Sequence, residues 1–231
     1  MTHPFPLAAT SSFWKRFFSA PTWITSLGLV LLASPAMAHH AMEGKTPSTF
    51  GAGFLSGLAH PIIGPDHFAF VVSLGLLAAL KPQGFGIPIA FLLSAMLGTA
   101  LHITGVEIPG VELLVSGSIL VFGILLVVKN SPATPVIMGL ASLAGIFHGY
   151  AYGESIFGAE TTPLLAYLLG FTAIQIAIAA SAFGISRRLL QTSKNLQLPS
   201  NFRSAGFVLC GVGVAFLASQ IGDLLFALSA P

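Results

Sequence analysis

Two histidines and an aspartate lie close together in a long apolar stretch of this chain. His60, Asp66 and His67 fall within residues 50–80, where most other side chains are apolar. Ionisable groups at membrane depth are energetically costly, so they usually line a substrate or ion path. Imidazole and carboxylate together also suit a borderline divalent metal such as nickel, cobalt or zinc. The pattern therefore predicts a metal site inside a membrane-spanning segment.

The spacing of the two histidines predicts that this segment is broken. On one continuous helix His60 and His67 would share a face but lie ~10.5 Å apart along the axis. Two nitrogens that each bind one metal at ~2.1 Å can be at most about 4.2 Å apart. Pro61, Gly64 and Pro65 lie between the histidines and interrupt helices, which favours a broken helix with a binding site at the break. The alternative is that the histidines only cap broken helix ends through hydrogen bonds.

A second group of polar side chains lies in the later apolar stretch FHGYAYGE, which contains His148 and Glu154. Glycines recur around this histidine at four-residue intervals: Gly145, Gly149 and Gly153. Such a series lets another helix approach closely, so His148 is expected to face the bundle interior. There it is either a further ligand or a core histidine with its own hydrogen bonds. Glu154 is a further candidate ligand, or else an interfacial residue.

Two other ionisable residues are candidates by position. His102 lies near the end of an apolar stretch, ahead of a glycine-containing turn, and few other polar groups share its predicted helix. Glu112 opens the next apolar stretch. Both are included in the predicted metal path.

The composition excludes an ordinary soluble domain. Hydrophobic residues make up 55% and charged residues 7% of the chain, against roughly 25% charged in typical globular proteins. The long continuous apolar blocks predict an all-α membrane protein, a bundle of six transmembrane helices. The predicted spans are residues 49–80, 85–103, 111–129, 134–152, 161–184 and 204–229. The first of these, residues 49–80, is too long for one straight span, which agrees with a break in its helix.

The first 38 residues have the three parts of a secretory signal peptide. Lys15 and Arg16 precede a short apolar run, and Ala36-Met37-Ala38 matches a cleavage site. The predicted mature chain, residues 39–231, is then a single transmembrane domain; the alternative is an uncleaved first helix. Removing two of the nine Lys and Arg residues leaves seven, which balance seven Asp and Glu. We therefore expect no basic surface for nucleic acid.

The charges also predict an orientation. Basic residues follow the first and third blocks and cluster between the last two: Lys81, Lys129, Arg187, Arg188, Lys194 and Arg203. By the positive-inside rule, both ends of the mature chain face away from the cytoplasm, across a bacterial inner membrane. The candidate ligands then lie in the outer half and the centre of the lipid bilayer, as a cavity open to the outside requires.

Both motifs resemble signatures of one family. HPIIGPDH resembles HPxxGxDH, and FHGYAYGE resembles FHGxAHGxE, of the hydrogenase- and urease-associated nickel permeases of the HupE/UreJ family. The likeness extends to the signal peptide, the six spans and the PGVE opening of the third span. It implies a nickel or cobalt permease, with a functional link to hydrogenase or urease maturation. It also implies that His60, Asp66, His67 and His148 lie on the metal path, with Glu112 contributing.

One departure from the family pattern matters. Tyr152 stands where the second signature has another histidine. Tyrosine is a poor replacement for an imidazole ligand at neutral pH, so the second motif acts with one ligand or the selectivity differs.

Two other classes of function remain open from the residues alone. One is a membrane metalloenzyme, in which the same four side chains hold an ion that activates water. The other is an accessory protein that delivers metal without transporting it. A permease is preferred and an enzyme is not expected, because only Glu112 or Glu154 is available as a general acid or base. We expect no permanently bound cofactor, only Ni²⁺ or Co²⁺ as cargo.

Overall fold

The computed structural model describes residues 46–192 and 200–229, and every regular element in these ranges is a helix. The helices are α1 Phe50–Ile63, α2 Pro65–Leu80, α3 Gly86–Ile103, α4 Val111–Val127, α5 Thr134–Glu154, α6 Thr161–Thr192 and α7 Ser200–Ser229. The predicted signal peptide and its cleavage site lie outside the described residues.

The first long apolar segment is broken at a single residue. Gly64 separates α1 from α2, and the two helices are bent by 79° relative to each other. Pro65 is the first residue of α2, where its missing N–H costs no hydrogen bond and its ring opposes continuation of α1. Pro61 lies within α1, so it removes one helical hydrogen bond without ending the helix. The predicted break is confirmed.

The helices are those of a multi-pass membrane protein. In the described residues α3, α5, α6 and α7 are long and apolar enough to span a membrane, and the α1–α2 pair adds a fifth span if it counts as one. The helix α4 is apolar but has only 17 residues. Length and composition therefore give four or five spans, and the predicted count of six stays a prediction.

Close helix packing positions the second motif. A Cβ at Gly149 would collide with the backbone of Ala95, and one at Gly145 would meet the Phe91 carbonyl oxygen and Ser94 Oγ. These contacts place α5 directly against α3, as the glycine spacing predicted. The helix face that carries His148 is thereby held inside the bundle, where the side chain is fully buried.

The broken segment is held in the same way by α6. A Cβ at Gly53 would collide with Pro163, and one at Gly57 with the backbone of Tyr167 and Phe171. The side chain of Thr49 also accepts a hydrogen bond from Ala52 N at 3.2 Å and caps the start of α1. The break therefore lies in a rigid setting, with α6 on one side of it.

Candidate metal site

The break between α1 and α2 brings the first two histidines together. His60 lies in the last turn of α1 and His67 is the third residue of α2. Their ring centroids are 5.6 Å apart, against the ~10.5 Å axial separation of a continuous helix. Both side chains are buried, as is that of Asp66 between them in sequence.

His148 of α5 approaches His67 directly. The two Nδ1 atoms are 2.9 Å apart, and the His148 ring packs 4.2 Å from the ring of Phe70, measured between centroids. On its other side, His148 Nε2 lies 2.9 Å from Ser118 Oγ of α4. Three helices thus meet at this imidazole pair, which we call the inner pair, His67 and His148.

His60 has a different set of partners. Its Nδ1 lies 2.5 Å from Ser155 Oγ and 3.3 Å from the Tyr167 hydroxyl. Tyr167 donates its own hydrogen to the Tyr152 carbonyl at 2.9 Å. His60 is therefore oriented by two hydroxyl groups. Ser155 and Tyr167 were missed in the sequence; Ser155 directly follows the second motif, and Tyr167 is a polar group in an apolar helix.

Tyr152 packs beside both histidines of the first motif. Its fully buried ring lies 5.1 Å from that of His60 and 4.4 Å from that of His67, between centroids. The Asp66 carboxylate also interacts with it electrostatically. Within the described residues, neither the Tyr152 hydroxyl nor Asp66 Oδ1 has a hydrogen-bond partner. Buried oxygens without partners are costly, so this donor set fits a positively charged guest.

The remaining predicted ligands lie at other places. Glu154 is exposed at the end of α5, and Glu112 is half-buried in the first turn of α4. His102 is half-buried at the end of α3 and packs against the rings of Tyr150 and Phe157, with centroids 4.5 and 5.5 Å away. Its buried Nδ1 has no hydrogen-bond partner among the described residues. The structure therefore brings together four of the seven predicted site residues: His60, Asp66, His67 and His148.

These four do not form a closed ligand cage. Within residues 46–192 and 200–229, no three His, Cys, Asp or Glu side chains are arranged to hold one metal ion. The site consists of the inner pair, the oxygen atoms beside it, and His60 with its hydroxyl partners. That His60, Asp66 and His67 act as ligands of one ion stays a prediction.

Fold and site together define a multi-pass helical membrane protein with buried imidazoles and a carboxylate at a helix break. Residues 27–216 match the family described as HupE / UreJ protein, so the chain belongs to that family. It is 26% identical to Protein HupE of Rhizobium leguminosarum bv. viciae over 164 aligned residues. The aligned region covers 70% of this chain and 81% of that protein. No solved structure matches the chain. The resemblance inferred from the two motifs is confirmed.

Proposed function

We propose that this protein is an inner-membrane permease that takes up Ni²⁺ or Co²⁺ through a six-span bundle with both ends on the non-cytoplasmic side. The observation that carries the proposal is the inner pair: two buried imidazole nitrogens 2.9 Å apart, His67 Nδ1 and His148 Nδ1. The unpaired Asp66 oxygen lies in the residue next to His67. The association of the family with hydrogenase and urease accessory function supports a nickel-related role.

The spacing of the inner pair is compatible with one ion bound between the two nitrogens. Two nitrogens about 2.1 Å from one metal are about 3.0 Å apart at a right angle and about 3.4 Å apart at the tetrahedral angle. The observed 2.9 Å is the length of the hydrogen bond between the two nitrogens, so only a small movement of the rings is needed for both to bind one ion. For both Nδ1 atoms to bind one ion, the hydrogen of their shared hydrogen bond would have to move to Nε2 of the ring that carries it, and the rings would turn to direct both lone pairs at the ion.

The order of the contacts along α5 supports a path. Ser155 contacts His60, Tyr152 contacts both histidines of the first motif, and His148 contacts His67. From residue 155 to residue 148 the helix rises about 10.5 Å. An ion that enters from the outer side therefore meets His60 first and the inner pair second. An open ligand set suits this role, since a cargo must replace its hydration shell and still be released.

Radiolabelled nickel uptake into proteoliposomes tests the proposal. We expect accumulation inside the vesicles, with competition by cobalt. Acidification should reduce uptake, because a protonated imidazole does not bind metal. Nickel that binds to the protein but never enters sealed vesicles would contradict transport.

The second candidate is an accessory protein that holds nickel for hydrogenase or urease maturation without moving it across the membrane. The accessory association of the family favours this alternative, and it predicts binding without flux in the same assay. A metalloenzyme is less well supported, because Glu154 is exposed at the end of α5 and Glu112 lies in the first turn of α4.

A further inference from the structure

Ser118 of α4 lies between the backbone of its own helix and His148. Its Oγ is 2.6 Å from the Val115 carbonyl oxygen and 2.9 Å from His148 Nε2. A hydroxyl group has one hydrogen to donate. Two oxygens at 2.6 Å require a hydrogen between them, so the Ser118 hydroxyl donates to Val115. Its oxygen can then only accept a hydrogen bond from His148.

This assignment determines which nitrogen of His148 carries the hydrogen. Because Nε2 donates to Ser118, the neutral ring has its lone pair on Nδ1. That Nδ1 lies 2.9 Å from His67 Nδ1, so the lone pair is directed into the inner pair. The opposite tautomer would place the Ser118 oxygen between two acceptors while it has only one hydrogen to offer.

We propose that Ser118 is a positioning residue that fixes the Nε2–H tautomer of His148 and so directs its Nδ1 lone pair at the cargo site. The inference deepens the proposed function and rests on the inner pair being a metal site. Ser118 itself does not touch the ion. Metal-binding histidines are commonly fixed through the other ring nitrogen in this way, and losing such a partner lowers metal affinity by about 10- to 100-fold.

Two substitutions of Ser118 by residues of similar shape test this role. Ser118→Thr keeps a hydroxyl that can bond back to Val115, whereas Ser118→Val has nearly the same shape and no hydroxyl. We expect equilibrium nickel binding by the purified full chain to fall about 10- to 100-fold in Ser118→Val and Ser118→Ala. Ser118→Thr should stay within about threefold of wild type, below that range.

Ser73 provides the matched control. It is fully buried, and its Oγ donates to the Phe70 carbonyl at the same distance, 2.6 Å. Its hydroxyl group bonds to the backbone of its own helix. No hydrogen bond between Ser73 and a histidine is seen in the described residues. Ser73→Ala should therefore leave nickel binding unchanged, which separates the tautomer effect from the loss of a buried serine.

Nitrogen NMR of ¹⁵N-histidine-labelled protein reads the tautomer without any metal. The His148 signals, assigned by their loss in His148→Asn, should show N–H at Nε2 in wild type and Ser118→Thr, and mixed tautomers in Ser118→Val. A wild-type His148 with N–H at Nδ1, or Ser118→Val with unchanged tautomer and affinity, would overturn the proposal. If wild type has the expected tautomer but binds no nickel, Ser118 still fixes the tautomer of His148, but the proposed function and the metal-directing role fail.

Discussion

The two histidines of the first motif lie on either side of the same break, yet they have partners of different chemistry. His60 Nδ1 contacts two hydroxyl groups, from Ser155 and Tyr167. His67 Nδ1 contacts another imidazole nitrogen, that of His148. A hydroxyl group orients an imidazole, whereas a second imidazole can share a metal with it. If the proposed function holds, we expect the inner pair to bind the cargo and His60 to act at its entry.

The largest expected effect is the loss of one member of the inner pair. His67→Ala and His148→Ala should abolish nickel uptake and lower equilibrium nickel binding by more than about 100-fold, since losing a ligand exceeds the roughly 10- to 100-fold effect of losing an orienting residue. His60→Ala and Asp66→Ala should also abolish uptake, but we expect His60→Ala to retain more of the binding. Titration of purified variants with nickel measures this difference. Equal losses of binding in His60→Ala and His67→Ala would contradict different roles for His60 and the inner pair.

Packing beside His148 should give the next effect. In Gly149→Ala the new methyl group would collide with the backbone of Ala95, and such overpacking costs about 1–3 kcal/mol. We expect a lower thermal unfolding temperature in detergent and reduced nickel binding, because α5 must move away from α3. Gly139→Ala on the same helix is the control, since a methyl group there meets nothing. Equal stability of the two variants would show that the close approach is not needed.

Substitution of Tyr152 tests the contribution of the ring that packs beside both histidines. Tyr152→Phe removes a buried hydroxyl that has no partner among the described residues, so the fold should not be destabilised. If that hydroxyl contributes to cargo binding, nickel affinity should fall about fivefold, equivalent to about 1 kcal/mol. Nickel titration and a thermal melt on the same sample separate the two effects, and unchanged affinity would exclude the hydroxyl from the site.

A different substitution at position 152 should have the opposite effect on nickel affinity. Tyr152→His is expected to retain or raise nickel affinity. The i, i+4 spacing pairs the new imidazole with His148, but the Tyr152 ring lies 6.5 Å from that of His148 and 4.4 Å from that of His67. The gain should therefore vanish when His67→Ala is added. A gain that persists in the double variant would assign the new ligand to His148 instead.

The smallest effect should come from an exposed carboxylate. Glu154→Gln removes a charge at the surface end of α5, where substitutions usually change stability by less than about 0.5 kcal/mol. Nickel uptake should stay close to the wild-type rate, while the matched change Asp66→Asn in the buried site should eliminate it. A large loss of uptake in Glu154→Gln would instead support Glu154 as part of the metal path.

The helix break and the burial of the histidines could be predicted from local sequence. The cluster of Pro61, Gly64 and Pro65 disfavours one continuous helix, and buried ionisable groups in an apolar segment favour a functional site. The close approach of α5 to another helix followed from its glycine spacing. These features depend on residues that are near one another in the chain.

The hydrogen-bond partners could not be predicted in this way. Ser118, Ser155 and Tyr167 come from other helices, and only the tertiary packing places them against the histidines. The pairing of His67 with His148, 81 residues later, likewise depends on how α2 and α5 pack. Glu154 was a candidate because it adjoins a motif, and the end of α5 leaves it exposed.

X-ray absorption at the nickel edge, recorded on the loaded full-length protein, tests the central claim most directly. It counts the imidazole rings bound to the ion and measures their distances. We expect two imidazole rings bound to nickel in wild type, one in His148→Ala, and two in Ser73→Ala. Nickel bound without imidazole, or an imidazole count that does not change in His148→Ala, would contradict the inner pair as the cargo site.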